Sequence, residues 1–319
     1  MQYPMNQLPT FSDIEKAHDR IRPYIHRTPV LSSQSINQIV GAELFFKCEN
    51  LQKVGAFKFR GACNSVFSLT PEEARNGVCT HSSGNHAAAL ALAARMRGIP
   101  AYIVMPENAP EIKKIAVAGY GAKITYCTPT LAARESTLKR VAEETGATEI
   151  HPYNYFNVIC GQGTAAKELI EEIGQLDFVM APVGGGGLLS GTAISAKTLL
   201  PKIQVIAAEP AGADDAFQSF YSKTLVPSVA PKTIADGLLT SLGSLTFQII
   251  LNEVDQIVTV SEENIVSAMR MIWERMKIIV EPSSAVPLAA ILENKVDVKG
   301  KRVGIILSGG NVDLGKLPF

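Results

Sequence analysis

Four consecutive glycines, Gly184 to Gly187, join the apolar run Phe178-Val179-Met180-Ala181-Pro182-Val183 to a segment of helical length, Leu188 to Leu200. A turn between a buried strand and a helix does not need four glycines, because each adds conformational entropy to the unfolded chain. Bare backbone at a helix start does suit an anion: several N–H groups converge on it and the helix dipole favours negative charge. The stretch therefore points to an α/β chain in which this turn holds a phosphate. A tight strand–helix contact is the competing explanation.

Other strand–helix alternations extend this reading. Strand patterns run over Ala42 to Glu49, Gly77 to His81, Ile99 to Pro106, Ala122 to Cys127, Gln204 to Ala208, Gln256 to Val260 and Arg302 to Leu307. Helical spacing covers Phe11 to Ile21 behind Thr10 or Ser12 as cap, Ala87 to Met96, Ala132 to Thr145 and Glu262 to Met276, and Gly161-Gln162-Gly163-Thr164 is expected to open a helix from Ala165 to Ile173. Alternation of this kind predicts parallel sheets with right-handed crossovers. No repeat or low-complexity linker divides the chain.

Composition narrows the function. Thirty Lys and Arg balance thirty Asp and Glu, so no net field selects nucleic acid or an anionic membrane. No run reaches the roughly 18 apolar residues of a membrane helix, and Met1 to Thr10 lacks the pattern of a signal peptide. Cys48, Cys63, Cys79, Cys127 and Cys160 are odd in number and never form a CxxC pair, which predicts free thiols and a cytoplasmic location.

Two further stretches carry chemistry. In Asn50-Leu51-Gln52-Lys53-Val54-Gly55-Ala56-Phe57-Lys58-Phe59-Arg60-Gly61-Ala62 a lysine stands between two phenylalanines. An ammonium walled by aromatic bulk loses hydration, its pKa falls, and the neutral amine serves as a nucleophile or Schiff-base partner; a lysine snorkelling to solvent is the alternative. The loop Ser82-Ser83-Gly84-Asn85-His86 lies between a strand and a helix, and Leu307-Ser308-Gly309-Gly310-Asn311-Val312-Asp313 forms a second glycine turn after a strand. The tetraglycine is not GxxxxGK[ST], which excludes a nucleoside-triphosphate loop, and the acidic residue of a dinucleotide fingerprint is not at its usual distance. Glu209 is near enough to keep a nicotinamide oxidoreductase open, as is a non-catalytic cofactor-binding protein. A phosphate loop with a desolvated lysine fits pyridoxal phosphate.

In their order and spacing, Lys58 in GAFKFRGA, the SSGNH loop, Gly184 to Gly187 and Ser308-Gly309-Gly310-Asn311 resemble the fold-type II pyridoxal-phosphate enzymes of the serine racemase and serine/threonine dehydratase family, from about Thr10 to Asp313. The resemblance implies an α/β fold like the tryptophan synthase β chain, in two lobes: a large cofactor-binding one over 1–76 and 152–319, and a small mobile one over 77–151. It implies that Lys58 forms the internal aldimine, beside Phe57; that Asn85 meets the ring hydroxyl and Ser308 the pyridine nitrogen; and that Gly184, Gly185, Gly186 and Gly187 hold the phosphate.

Ser82, Ser83 and Asn85 then bind the substrate carboxylate, Ser83 is the second acid/base of a racemase, and Arg134 stands near the substrate. Glu281 lies near the cofactor, and Trp273 packs. Glu209-Pro210-Ala211-Gly212-Ala213-Asp214-Asp215 resembles the family's divalent-cation site, with Glu209, the Ala213 carbonyl and Asp215 around Mg²⁺, Ca²⁺ or Mn²⁺. The implied activity is β-elimination from L-serine and L-threonine with serine racemisation, or threo-3-hydroxyaspartate ammonia-lyase action. A β-replacement synthase is a further option. The family also implies a homodimer and a nucleotide effector, while a chain ending at Phe319 is expected to lack amino-acid feedback. His81, His86 and His151 suggest no metal set.

Overall fold

The computed structural model describes residues 7–82, 84–109 and 111–319. Their strands are β1 (Val30–Leu31), β2 (Glu43–Cys48), β3 (Val78–His81), β4 (Ala101–Pro106), β5 (Lys123–Cys127), β6 (Thr148–Glu149), β7 (Phe178–Pro182), β8 (Gln204–Pro210), β9 (Gln256–Val260) and β10 (Arg302–Leu307). Two sheets result. The larger has the order β1-β2-β10-β7-β8-β9, the smaller β5-β4-β3-β6. Every pairing is parallel except β1 with β2. The smaller sheet takes all its strands from between Val78 and Glu149, and the rest of the chain builds the larger.

Both faces of the larger sheet are covered, which is why its strands read as unbroken apolar runs. Met180, Ile206, Val258 and Ile305 pack with the helices Glu262–Met276 and Pro282–Leu292 on one face. Their neighbours Val179, Val205, Ile257 and Ile306 pack on the other with Leu169 and Ile170 of the helix Phe156–Ile173 and Leu189 and Ala193 of the helix Gly187–Leu199. The alanine-rich helix Asn85–Arg97 is buried nearly all round, in one cluster with Phe59, Ala62, Cys63 and Val66 of the helix Lys58–Ser68. Small side chains let these two helices approach, and this seats the starts of both side by side.

The glycines at 161 and 163 depart from expectation. They lie inside the helix Phe156–Ile173 rather than before it. A Cβ on Gly161 would stand 2.6 Å from Arg60 O, and one on Gly163 would stand 2.8 Å from Gly191 O. Close helix crossings, not a turn, demand glycine there. The two-residue strands β1 and β6 carry too few residues to show a period.

Candidate active site

Both ends of the lysine stretch are tied to the C-terminal glycine turn. Phe57 N–H donates to Ser308 O at 2.9 Å, and Ala56 bridges Gly309. Lys58 is thereby the first residue of its helix. Its Nζ donates to Pro152 O at 3.0 Å and lies 5.1 Å from the centre of the Phe57 ring. Burial lowers its pKa from 10.5 to about 8, against the opposing pull of Glu281. Only one phenylalanine walls it: Phe59 is fully buried in the helix-packing cluster, with Lys53 over its ring. Successive residues of a helix point about 100° apart, so two aromatics flanking a lysine in sequence cannot both flank its amine.

Arg60, one residue further, anchors this helix start from below. Its fully buried guanidinium donates to both oxygens of Glu49 at 2.7 and 2.8 Å, to both of Glu168 at 2.9 and 2.8 Å, and to Thr164 Oγ1 at 3.1 Å. Lys47 Nζ joins the set through Glu168 Oε2 and Thr28 O, both at 2.7 Å. His18 Nε2 lies 3.4 Å from Glu168 Oε1, and this bond, followed by Arg60 and Lys47, holds the Glu168 carboxyl well below the usual range despite its burial.

Asn85 begins the neighbouring helix. Its Nδ2 donates to both Glu281 oxygens at 3.1 Å, and its Oδ1 accepts from Asn311 Nδ2 at 2.9 Å, which also donates to Val54 O at 2.8 Å. The amide is thus held in one orientation by residues 196 and 226 positions away. Val54 itself takes φ 57°, rare for a β-branched residue, and stores strain beside this tie. Glu281 is buried and its carboxyl pushed up to about 7 by desolvation, with Asn85 pulling the other way. Ser308 is also buried, with its Oγ 3.0 Å from Ser284 Oγ; Ser284 in turn donates to Gly309 O and accepts from Gly309 N–H, each at 2.7 Å. While the single Ser284 hydrogen rests on Gly309 O, Ser308 is the donor to Ser284.

The tetraglycine caps the helix Gly187–Leu199. A Cβ on Gly185 would stand 2.4 Å from the Tyr153 ring, and Gly186 has φ 85°, so both positions require glycine. Part of the requirement is thus packing, while the bare N–H groups at the helix start are the chemistry a phosphate needs. Tyr153 follows the segment that carries Pro152 O. In that segment His151 Nδ1 accepts from the Tyr153 and Asn154 N–H groups at 3.3 and 3.0 Å, and burial lowers the His151 pKa to about 4.

Ser82 N–H donates to Val104 O, and its Oγ accepts from Gly84 N–H at 3.4 Å. Ser83 lies outside the described residues. Arg134 stands in the first turn of the helix Leu131–Thr145, with its Nε on Thr130 O at 3.4 Å and its charge felt by His81 and Tyr153. Trp273 is half-buried: its Nε1 donates to Val280 O at 3.0 Å and its ring meets Phe319 edge-on. Glu209, fully buried at the end of β8, accepts from Ala216 N–H at 3.1 Å and Phe217 N–H at 2.8 Å. Burial raises its carboxyl to about 9, and Asp215 to about 6. Both Asp215 oxygens are buried without a hydrogen-bond partner among the described residues. Among the described residues no group of three His, Cys, Asp or Glu side chains gathers as metal ligands.

The sequence motifs lead to Lys58, Asn85, the glycines and Ser308, and the fold adds partners that no motif marked: Pro152 O, Tyr153, Ser284 and Asn311. Tyr153 and Ser284 lie in segments without a glycine or charge signature, and Asn311 sits inside a motif credited only to its serine.

The chain is similar to known proteins along nearly its whole length. The family model described as pyridoxal-phosphate dependent enzyme matches residues 21–309. The β-hydroxyaspartate dehydratase of Paracoccus denitrificans is 54% identical over 98% of this chain and 99% of its own. The serine racemase of Dictyostelium discoideum is 54% identical over 97% of this chain and 96% of its own. The solved structure of maize serine racemase matches with a TM-score of 0.95 at 49% identity, covering 97% of this chain and 95% of its own. These matches overturn the nicotinamide reading, in which Glu209 would have faced a ribose. The chain belongs to the pyridoxal-phosphate dependent enzymes and has their fold-type II architecture.

Proposed function

We propose that this enzyme eliminates water from L-serine and L-threonine to give an enamine that water hydrolyses to a 2-keto acid and ammonia, and racemises serine at the same site. The observation that carries the reading is that the turn Ser308 to Asn311 holds both the start of the Lys58 helix and Asn85, while Lys58 Nζ meets the carbonyl of Pro152, whose neighbour Tyr153 packs on the tetraglycine. The residues fit the cofactor: a lysine of lowered pKa, an oriented amide, and bare N–H groups between Tyr153 and the helix start.

When bound, pyridoxal phosphate supplies an electron sink for the pair left on the substrate α-carbon. Gly184 to Gly187 would hold its phosphate, Phe57 would cover its ring, and Asn85 would turn an N–H from Glu281 to the ring hydroxyl. Ser308 would donate to the pyridine nitrogen by turning its one hydrogen away from Ser284 Oγ. A neutral hydroxyl leaves that nitrogen without a fixed positive charge, which favours prompt loss of the β-hydroxyl. Lys58 Nζ takes the α-proton on one face. Ser82, Ser83 and Asn85 would bind the α-carboxylate, and Ser83 would return a proton on the other face. With Ser83→Ala, D-serine formation should vanish while L-serine elimination persists; equal loss of both would make Ser83 a binding residue only.

The second reading is a threo-3-hydroxyaspartate ammonia-lyase, favoured by the 54% identity to a hydroxyaspartate dehydratase and by Arg134 as a carboxylate partner. Steady-state kcat/KM for L-serine, L-threonine and the hydroxyaspartates decides between them. A large preference for the dicarboxylate overturns the first reading.

The orphaned Asp215 oxygens and the buried Glu209 suit a hard cation, Mg²⁺, Ca²⁺ or Mn²⁺, with the Ala213 carbonyl. The confinement of the smaller sheet to Val78–Glu149 supports a mobile lobe over 77–151. Exposed Leu225 and Val229 support a homodimer, and five free, buried thiols support a cytoplasmic location. A nucleotide effector rests on the family resemblance.

A further inference from the structure

One cation at the mouth of the site has no part in the chemistry above. Lys113, in the first turn of the helix Glu111–Gly119, pairs with Asp236, 123 residues later. The two sides of the cleft meet here, because Lys113 belongs to the segment of the smaller sheet and Asp236 to that of the larger. Neither side chain is buried: 24% of the lysine and 50% of the aspartate remain exposed.

Asp236 is fixed from beneath. It heads the short turn Asp236–Leu238, in which Gly237 N–H donates to Ser283 Oγ at 3.2 Å. Leu238 backs onto the tetraglycine, since a Cβ on Gly184 would stand 2.9 Å from Leu238 Cα. Lys113 is placed from the other side, its Nζ 3.7 Å from where a Cβ on Gly84 would stand. Glu281, in the floor of the site, feels both charges. The ammonium therefore lies beside Gly84, in the loop where the α-carboxylate is proposed to bind, with Asp236 as a solvent-facing partner.

We propose that Lys113 reads a second carboxylate on the substrate by exchanging Asp236 for it, and so sets how well the site takes β-hydroxy amino dicarboxylates relative to L-serine. The inference rests on the amino-acid lyase reading and deepens it. A half-exposed ion pair is weakly held and cheap to exchange. A dicarboxylate replaces the bond Asp236 gives up; the hydroxymethyl group of serine offers no charge to replace it. Arg134 differs in that its Nε is already turned back onto Thr130 O of its own helix start.

The test is the ratio of kcat/KM for L-threo-3-hydroxyaspartate to that for L-serine, in holoenzyme carrying Lys113→Met, Lys113→Arg or Asp236→Asn. Lys113→Met should lower the ratio about tenfold, chiefly through the KM of the dicarboxylate, the size expected when a charge-assisted contact is lost. Lys113→Arg should keep most of it, and Asp236→Asn, which frees the ammonium, should raise it. A latch that merely holds the cleft together predicts that both Lys113→Met and Asp236→Asn lower turnover of both substrates, with no change in the ratio, and that result overturns the inference. Calorimetric binding of succinate to the same proteins separates this from failure of the lyase reading. Even if no amino acid is turned over, Kd for succinate should rise with Lys113→Met and fall with Asp236→Asn. An unchanged Kd in Lys113→Met, or shifts of the same sign in both variants, overturns the exchange.

Discussion

Replacing Arg60 with methionine tests how the site is supported from below. The guanidinium makes five hydrogen bonds, four of them to the buried carboxylates of Glu49 and Glu168. Glu168 keeps Lys47, 2.7 Å away, after the substitution. Among the described residues Glu49 then keeps the Thr28 hydroxyl at 2.6 Å and no cation, so one anion is left in the interior without a countercharge there. Removing one partner of a buried ion pair costs about 3–5 kcal/mol, chiefly because the other charge stays buried. Against a total stability of about 5–15 kcal/mol this is about a fifth or more.

Urea unfolding of the cofactor-free protein should show a lower midpoint at unchanged slope. Arg60→Lys should fall between, since one ammonium cannot reproduce the two-carboxylate fork. The double variant Arg60→Met/Glu49→Gln is the decisive arm. It removes the stranded anion and leaves Lys47 against Glu168, so it should recover about 2 kcal/mol of the loss although it has one charged group fewer. A double variant no more stable than Arg60→Met, or a single loss under about 1 kcal/mol, would refute this account.

Two further outcomes follow from the site. Lys58 reacts with an aldehyde only as the neutral amine, and burial lowers its pKa to about 8. The rate at which cofactor-free protein captures pyridoxal phosphate should therefore rise with pH and level off above about 8; a rate still climbing tenfold per unit beyond pH 9 would mean an unperturbed lysine. Chelating divalent ions should lower both the melting temperature and the turnover of the wild-type enzyme. Asp215→Asn should abolish that response, and a response that survives it would place the ion elsewhere.

The legible parts of the molecule are those written locally. Strands β2 to β5 and β7 to β10 carry runs of apolar residues, and they appear within two residues of where the pattern places them. Burial on both faces makes such runs long and unambiguous, whereas β1 and β6, with two residues each, hold no period at all. Glycine is the ambiguous letter. At 185 and 186 it marks the helix start that the motif promised, but at 161 and 163 the same residue marks helix crossings against Arg60 and Gly191, and nothing within the stretch tells the two uses apart.

The site divides in the same way. Lys58, Asn85 and Ser308 stand in motifs because, on the proposed reading, each would meet the cofactor from a fixed backbone position. Their orientation, however, comes from Pro152 O, Glu281, Asn311 and Ser284, groups 24 to 226 residues away. Such a partner needs only one donor or acceptor in the right place, and the fold supplies the place, so a linear pattern has little to record. The phenylalanine beyond Lys58 shows the converse error. Adjacent in sequence, it is turned by the helix into the core, and the desolvation credited to both aromatics comes from Phe57 and the wall at Pro152.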